Sequence, residues 1–349
     1  MRDDIRYVAV EIGKERWQPR NAAQTLYNRY GDCKDKTTLM RALLEAVNIP
    51  SVPVLANTTY AVRSSLPTPF QFNHCIIGIP TQHLPPISAM PNATTNGWLF
   101  FDPTDPTARL GDLPVVLQGD LVLLATQSDT LLQRLPYRVA DNYRREFRAD
   151  AALAADGAMS AKVSIIDFGD RALAARYRRN LMTREKQEEE WREFFSQTIP
   201  NVVMTHFQSG AAGDSAWVSF QVQAQNYLKT APPFFLMKTN FFQASQPPAL
   251  TSDKREHPIW FGPAEREDFR LTWTLAQEWA FEETPAAILN ATPSAQLECQ
   301  TQTQASTLKF YCMLQRDGRA LPVEEYLLAR KLSQAQSAAS KATTFLKKR

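Results

Sequence analysis

The chain has 349 residues, 44% of them hydrophobic, with 39 basic side chains against 36 acidic for a net charge of +3. That is chain enough for two domains and apolar side chain enough to bury a core in each, which excludes a disordered polypeptide. The charges are mixed along the sequence, so neither nucleic acid nor an anionic membrane is expected as the main partner. No apolar run approaches the ~20 residues that span a bilayer, so no transmembrane segment is expected.

The opening, MRDDIRYVAVEIG, has no signal-peptide pattern and enters a strand at once, as expected of a partial reading frame. In that strand Val8, Val10 and Ile12 alternate with Tyr7, Ala9 and Glu11. Ala22, Leu26 and Tyr30 then mark a short helix closed by Gly31. A second helix is predicted from Cys33 to Val47, with Leu39, Met40, Leu43, Leu44 and Val47 as its apolar stripe and Asn48 in the left-handed terminal position. SVPVLAN (51–57), FNHCIIGI (72–79) and GWLFFDPT (97–104) read as strands, and this order of elements is α+β with antiparallel pairing.

Residues 103–136 read as a connection punctuated by Pro and Gly, with one apolar patch, DLVLLAT. From about 137 the pattern becomes β-rich. Two strands meet at the turn signal ADG, a single charged helix is expected over roughly 169–198, and further strands run to about 313. Pro322 opens a last helix with Leu328, Leu332, Ala335 and Ala339 on one face, and the basic tail FLKKR reads as its solvated end. The expected organisation is a first domain over 1–135 and a β-rich, sandwich-like domain over 136–349.

Chemistry concentrates at NRYGDCKDKTTLMRALL, residues 28–44. A thiol at a helix N-terminus meets unpaired backbone N–H groups and the positive end of the helix dipole, which favour a thiolate nucleophile. Lys34 and Lys36 would add to this, and Asp32 and Asp35 would partly offset it. The same N–H groups can donate to an oxyanion on a carbonyl that the sulfur attacks. Such a nucleophile needs a base and a group to orient the base. Of four histidines, His74 alone lies in a strand of the first domain, and Asp102 ends the next strand. If those strands pair, Asp102 can hold one ring nitrogen while the other faces Cys33.

The blocks G-D-C-K-D at 31–35 (with Lys36), F-N-H at 72–74 and D-P-T at 102–104 strongly resemble the transglutaminase-like cysteine superfamily, in particular bacterial multi-domain members. The resemblance covers roughly residues 5–105. It implies a transglutaminase-like (papain-like) α+β core in which Cys33 is the nucleophile, His74 the base and then the acid, and Asp102 the orienting group. The reaction implied is acyl transfer through a thioester on a peptide or protein substrate, by hydrolysis or by transamidation. Trp17 and Gln18 are candidates for a second oxyanion donor, and Asn73 either braces the His74 strand or lines the cleft. No metal and no cofactor are expected, and a bacterial periplasmic or cell-surface setting is favoured.

Other readings stand beside these. Cys75, next to His74 but on the other strand face, reads as a small core residue and not a redox partner. Asp35 and Lys36 read as a charge pair at the helix start. The four cysteines, at 33, 75, 299 and 312, lack close ligand spacing and do not suggest a disulfide framework. The alternative in another class is a non-catalytic binding or assembly module that keeps the fold and its cleft.

Overall fold

The computed structural model describes residues 4–9, 13–84, 93–107, 109–126, 130–242, 250–260, 264–317 and 320–349. The chain is mixed α/β and β-rich, and it divides into Met1–Arg138 and Val139–Arg349; the sequence places that boundary at 135/136.

The first unit begins with β1 (Arg6–Tyr7), α1 (Ala22–Asn28), β2 (Tyr30–Gly31) and α2 (Cys33–Glu45). It continues with β3 (Val52–Ala56), β4 (His74–Pro80), β5 (Thr94–Thr95), β6 (Trp98–Phe101), β7 (Leu121–Ala125) and β8 (Thr130–Arg134). The last six form one sheet in the order β5-β6-β4-β3-β7-β8, antiparallel throughout. Val54, Ile76, Ile77, Phe100, Val122 and Leu124 are its buried core, and Met40 and Leu44 of α2 pack on that core. The DLVLLAT patch is therefore a strand of this sheet and not a connection, because Val122 and Leu124 alternate inward as β3 requires.

Three local expectations are corrected here. The predicted first strand narrows to Arg6–Tyr7, paired in parallel with β2; Val10, Glu11 and Ile12 lie outside the described residues. α1 is closed by Arg29 in the left-handed region (φ 56°), and not by Gly31. Gly31 has a different reason to lack a side chain: a Cβ there would stand 2.6 Å from Asp35 Cβ. α2 ends at Glu45, short of the predicted Val47, and Leu39 is buried whereas Leu43 and Val47 are exposed, so the apolar stripe is narrower than predicted. Asn48 does take the left-handed position after the helix, at φ 59°.

The second unit runs β9 (Tyr143–Leu153), β10 (Met159–Gly169), α3 (Asp170–Leu181), α4 (Arg184–Ser196), β11 (Val203–Ala212) and β12 (Ser215–Ala224). There follow β13 (Lys229–Ala231), β14 (Phe234–Lys238), β15 (Ile259–Trp260), β16 (Glu265–Leu275), β17 (Trp279–Glu283) and β18 (Ile288–Thr292). The unit ends with β19 (Ala295–Gln304), β20 (Thr307–Arg316), β21 (Ala320–Leu321), α5 (Tyr326–Ser340) and β22 (Thr343–Lys348). An eight-stranded sheet has the order β11-β12-β10-β9-β16-β20-β19-β18, with β9 and β16 parallel, and a four-stranded sheet has the order β13-β14-β22-β17. Both sheets feed one core: Phe147, Val163 and Trp273 from the larger, Met237, Trp279 and Leu346 from the smaller, with Phe195 of α4 and Leu332 of α5.

The predicted charged helix is two helices. Met182 is extended, and the Thr183 side chain accepts from the Lys186 N–H to start α4 afresh. In α5, Leu332 and Ala339 are buried while Leu328 is 43% exposed. The FLKKR tail is not a solvated helix end. It belongs to β22, paired on both sides, because Leu346 is needed in the core. Cys299 and Cys312 stand opposite each other on β19 and β20 and are joined in a disulfide, a pairing that their 13-residue separation does not suggest.

Candidate functional site

The site is built from the start of α2. Asp32, in extended conformation, accepts the Asp35 N–H at 3.2 Å, and the Asp35 carboxylate accepts the Asp32 N–H at 3.2 Å, a reciprocal capping box. Asp35 also takes the Arg20 N–H at 2.8 Å and the Arg20 guanidinium at 3.3 Å, which ties the preceding chain to the helix start. Lys34 pairs with Asp32. Lys36 is buried and donates to the Ile5 carbonyl at 3.0 Å. Asp35 thus serves the helix cap, in keeping with the reading of these charges as set by capping at the helix start, and Lys36 reaches inward to the residue before β1. Cys33 is left half-buried as the first helical residue. The Cys33 and Lys34 N–H groups lie in the helical turn that has no intrahelical acceptors.

β4 brings His74 to this helix start, fixed from below by the Thr37 hydroxyl, which donates to the Cys75 carbonyl at 3.1 Å. β6 pairs with β4, and Asp102 follows it directly. His74 Nε2 lies 2.8 Å from Asp102 Oδ2. The other carboxylate oxygen accepts the Thr104 N–H at 2.8 Å and the Thr104 hydroxyl at 2.7 Å, so the D-P-T block is an Asx-type turn that aims Oδ2 at the imidazole. With Nε2 occupied, Nδ1 is the ring atom free to meet the thiol of Cys33, which interacts with the same imidazole.

Burial alone would lower the His74 pKa, but the hydrogen bonds to Asp102 and Cys33, and then their charges, raise it from 6.5 to about 10. Burial likewise opposes ionisation of Asp102, and the hydrogen bond and charge of His74 with the Thr104 donors outweigh it and hold the carboxyl below its ordinary value. Burial, and then the charge of Cys33, push the Cys75 thiol up to about 12, so Cys75 is a buried, proton-bearing neighbour on the opposite strand face.

The three remaining candidates lie around this centre. Asn73 is engaged in the loop: its Oδ1 accepts the Thr58 N–H at 2.9 Å, and its Nδ2 donates to the Thr59 hydroxyl at 3.0 Å. Trp17 is 53% exposed and packs edge-to-face on Phe70, ring centres 5.7 Å apart. Gln18 is exposed. Among the described residues neither Trp17 nor Gln18 hydrogen-bonds to Cys33, His74 or Asp102.

Two residues that sequence reasoning missed hold the approach to His74. Asn57, fully buried, accepts the Thr59 and Tyr60 N–H groups and donates to the Gln71 carbonyl at 2.7 Å. Gln71, also buried, clasps the Arg63 backbone from both amide atoms. Their signal in sequence is faint, since Asn and Gln in a polar loop ordinarily face water.

Among the described residues no group of three or more His, Cys, Asp or Glu is arranged to hold a metal ion. No described helix is long and apolar enough to cross a membrane. No protein-family model and no curated protein matches the chain. Among solved structures, the chain is similar to a crystal structure of a protein from Parabacteroides distasonis described as a "putative protease", with 9% identity and a TM-score of 0.47. The match covers 99% of this chain and 49% of that one, so this chain spans about half of that protein's length.

Proposed function

We propose that the chain is a transglutaminase-like cysteine enzyme that transfers acyl groups from peptide-like amides, with water as the principal acceptor. One observation carries the reading: a partly buried imidazole bonded at 2.8 Å to a carboxylate on one side and interacting with a helix-start thiol on the other. An imidazole kept charged between those two partners is already the acid that the leaving amine needs.

In the proposed cycle, Cys33 as thiolate attacks the amide carbon and a C–S bond forms. The carbonyl oxygen becomes an oxyanion facing the N–H groups at the start of α2. The oxyanion collapses, the C–N bond breaks, and the proton on His74 goes to the departing amine, which leaves a thioester on Cys33. His74 then takes a proton from water as it attacks the thioester, and the acid leaves as the sulfur is released. An amine in place of water gives a transamidation by the same steps. Asp102 keeps the ring oriented throughout and never needs to take the proton.

The test is a screen of fluorogenic peptide amides, with and without an added primary amine, on the wild type, Cys33→Ala and His74→Ala. The reading expects release of the amine by the wild type alone and an acyl adduct on Cys33 by intact mass. Folded protein that binds peptide but turns nothing over, with no adduct, would make the chain a binding or assembly module.

A further inference from the structure

The second unit contains a cleft of about 360 Å³ between the α3–α4 hairpin and the eight-stranded sheet, within the size range of small-molecule sites. Its floor is apolar: Ile165, Ala216 and Val218, on neighbouring strands with Ile165 and Val218 directly paired. One end is closed by Arg145 and Asp167, and the helical wall carries Arg171, Arg179 and Trp191.

The charges in this lining do not cancel. Arg145 takes Asp167 with two bonds, 2.6 and 2.8 Å, and Arg178 takes Glu190 at 2.7 Å, which engages both lining carboxylates. Arg171 stands 3.4 Å from Asp167, and 3.5 and 3.8 Å from Glu267 and Glu265, yet its Nη1 is buried without a hydrogen bond. Burial first, and then the like charge of Arg145, lower the Arg171 pKa, and the charges of Glu267 and Asp167 oppose that. The Arg179 guanidinium has no carboxylate partner among the described residues. Among the described residues Arg176 is held by the Gly213 and Ser215 carbonyls, which do not neutralise it.

We infer that this cleft binds a small organic anion, with one carboxylate or phosphate group on Arg179 and its apolar body on Ile165, Ala216 and Val218 beside Trp191. The geometry suits such a ligand because a guanidinium without a carboxylate partner is a strong, directional anion donor, and Ile165, Ala216 and Val218 offer apolar surface to the ligand's body. The cleft lies wholly in the second unit, so this inference and the Cys33 reading fail independently.

The test is a fluorescence titration of the full chain with 8-anilinonaphthalene-1-sulfonate, with N-phenyl-1-naphthylamine as the uncharged body. One saturable site is expected, at least tenfold tighter for the sulfonate than for the neutral probe. Arg179→Glu at the rim and Ala175→Leu, which fills the cleft, should each weaken it at least tenfold, with folding checked by circular dichroism. If Ala175→Leu does not fold, Arg179→Glu decides. Displacement by hexanoate or by phenyl phosphate then assigns the head group. Equal binding of the two probes, sulfonate binding unchanged in folded variants, or no saturable binding would overturn the inference.

Discussion

Replacing Asp102 by Asn preserves the volume of the side chain and an oxygen for Thr104, and removes the charge facing His74. Burial alone depresses a histidine, so the rise of His74 from 6.5 to about 10 is supplied against that burial by Asp102 and Cys33. A hydrogen bond to a charged group contributes about 1.5–3 kcal/mol, which is about one to two pKa units. His74 in Asp102→Asn is therefore predicted to titrate at least about one unit lower, read from the imidazole carbon signals of the four histidines by NMR. Stability follows with a definite sign. The raised value stabilises the fold fully below 6.5, and that contribution is lost as pH rises through about 10. The lowered Asp102 contributes above its ordinary 3.8 and is lost as pH falls through its folded value. The gap in denaturation midpoint between wild type and variant should thus be widest between 3.8 and 6.5 and close toward pH 10. Turnover on any amide found by the screen should fall by about 10³–10⁴. An unmoved His74 titration, or a stability gap that widens with pH, would refute the reasoning.

Gly31→Ala forces a Cβ to within 2.6 Å of Asp35 Cβ, so the capping box must shift; a loss of about 1–3 kcal/mol is expected in urea unfolding, with slower amide turnover. Asn57→Ala strands the Gln71 carbonyl and the Thr59 and Tyr60 N–H groups, for about 1–3 kcal/mol, and should speed hydrogen exchange over residues 57–73. Alkylation of the unfolded chain without reductant should add groups only at Cys33 and Cys75, and with reductant at Cys299 and Cys312 as well, read by peptide mapping.

The meeting of His74 with Asp102 was legible because each sits at a strand end, and adjacent antiparallel strands bring such ends together. The start of α2 was legible because Asp32 is followed three residues later by an acid, the pattern of a reciprocal cap. What escaped was non-local. Gly31 looked like a helix terminator because a glycine before a helix carries no mark of what packs against its missing Cβ. The basic tail looked solvated because three charged residues outweigh Phe345 and Leu346 in any local average, whereas the partner strands β14 and β17 lie over 60 residues earlier in the chain. The break at Thr183 was a readable signal: a threonine before a charged helical run is an N-cap. The buried ion network of Arg145, Arg171 and Asp167 was not readable, since alternating charges on a strand ordinarily mean a solvated face.

The central claim is that His74 activates Cys33. It is tested most directly by the rate of iodoacetamide alkylation at each thiol of the folded chain at pH 7, followed by peptide mapping in the wild type and in His74→Ala. Cys33 should react far faster than the buried Cys75 and slow at least tenfold when the imidazole is removed. A Cys33 that reacts at the same rate with and without His74 would contradict the account.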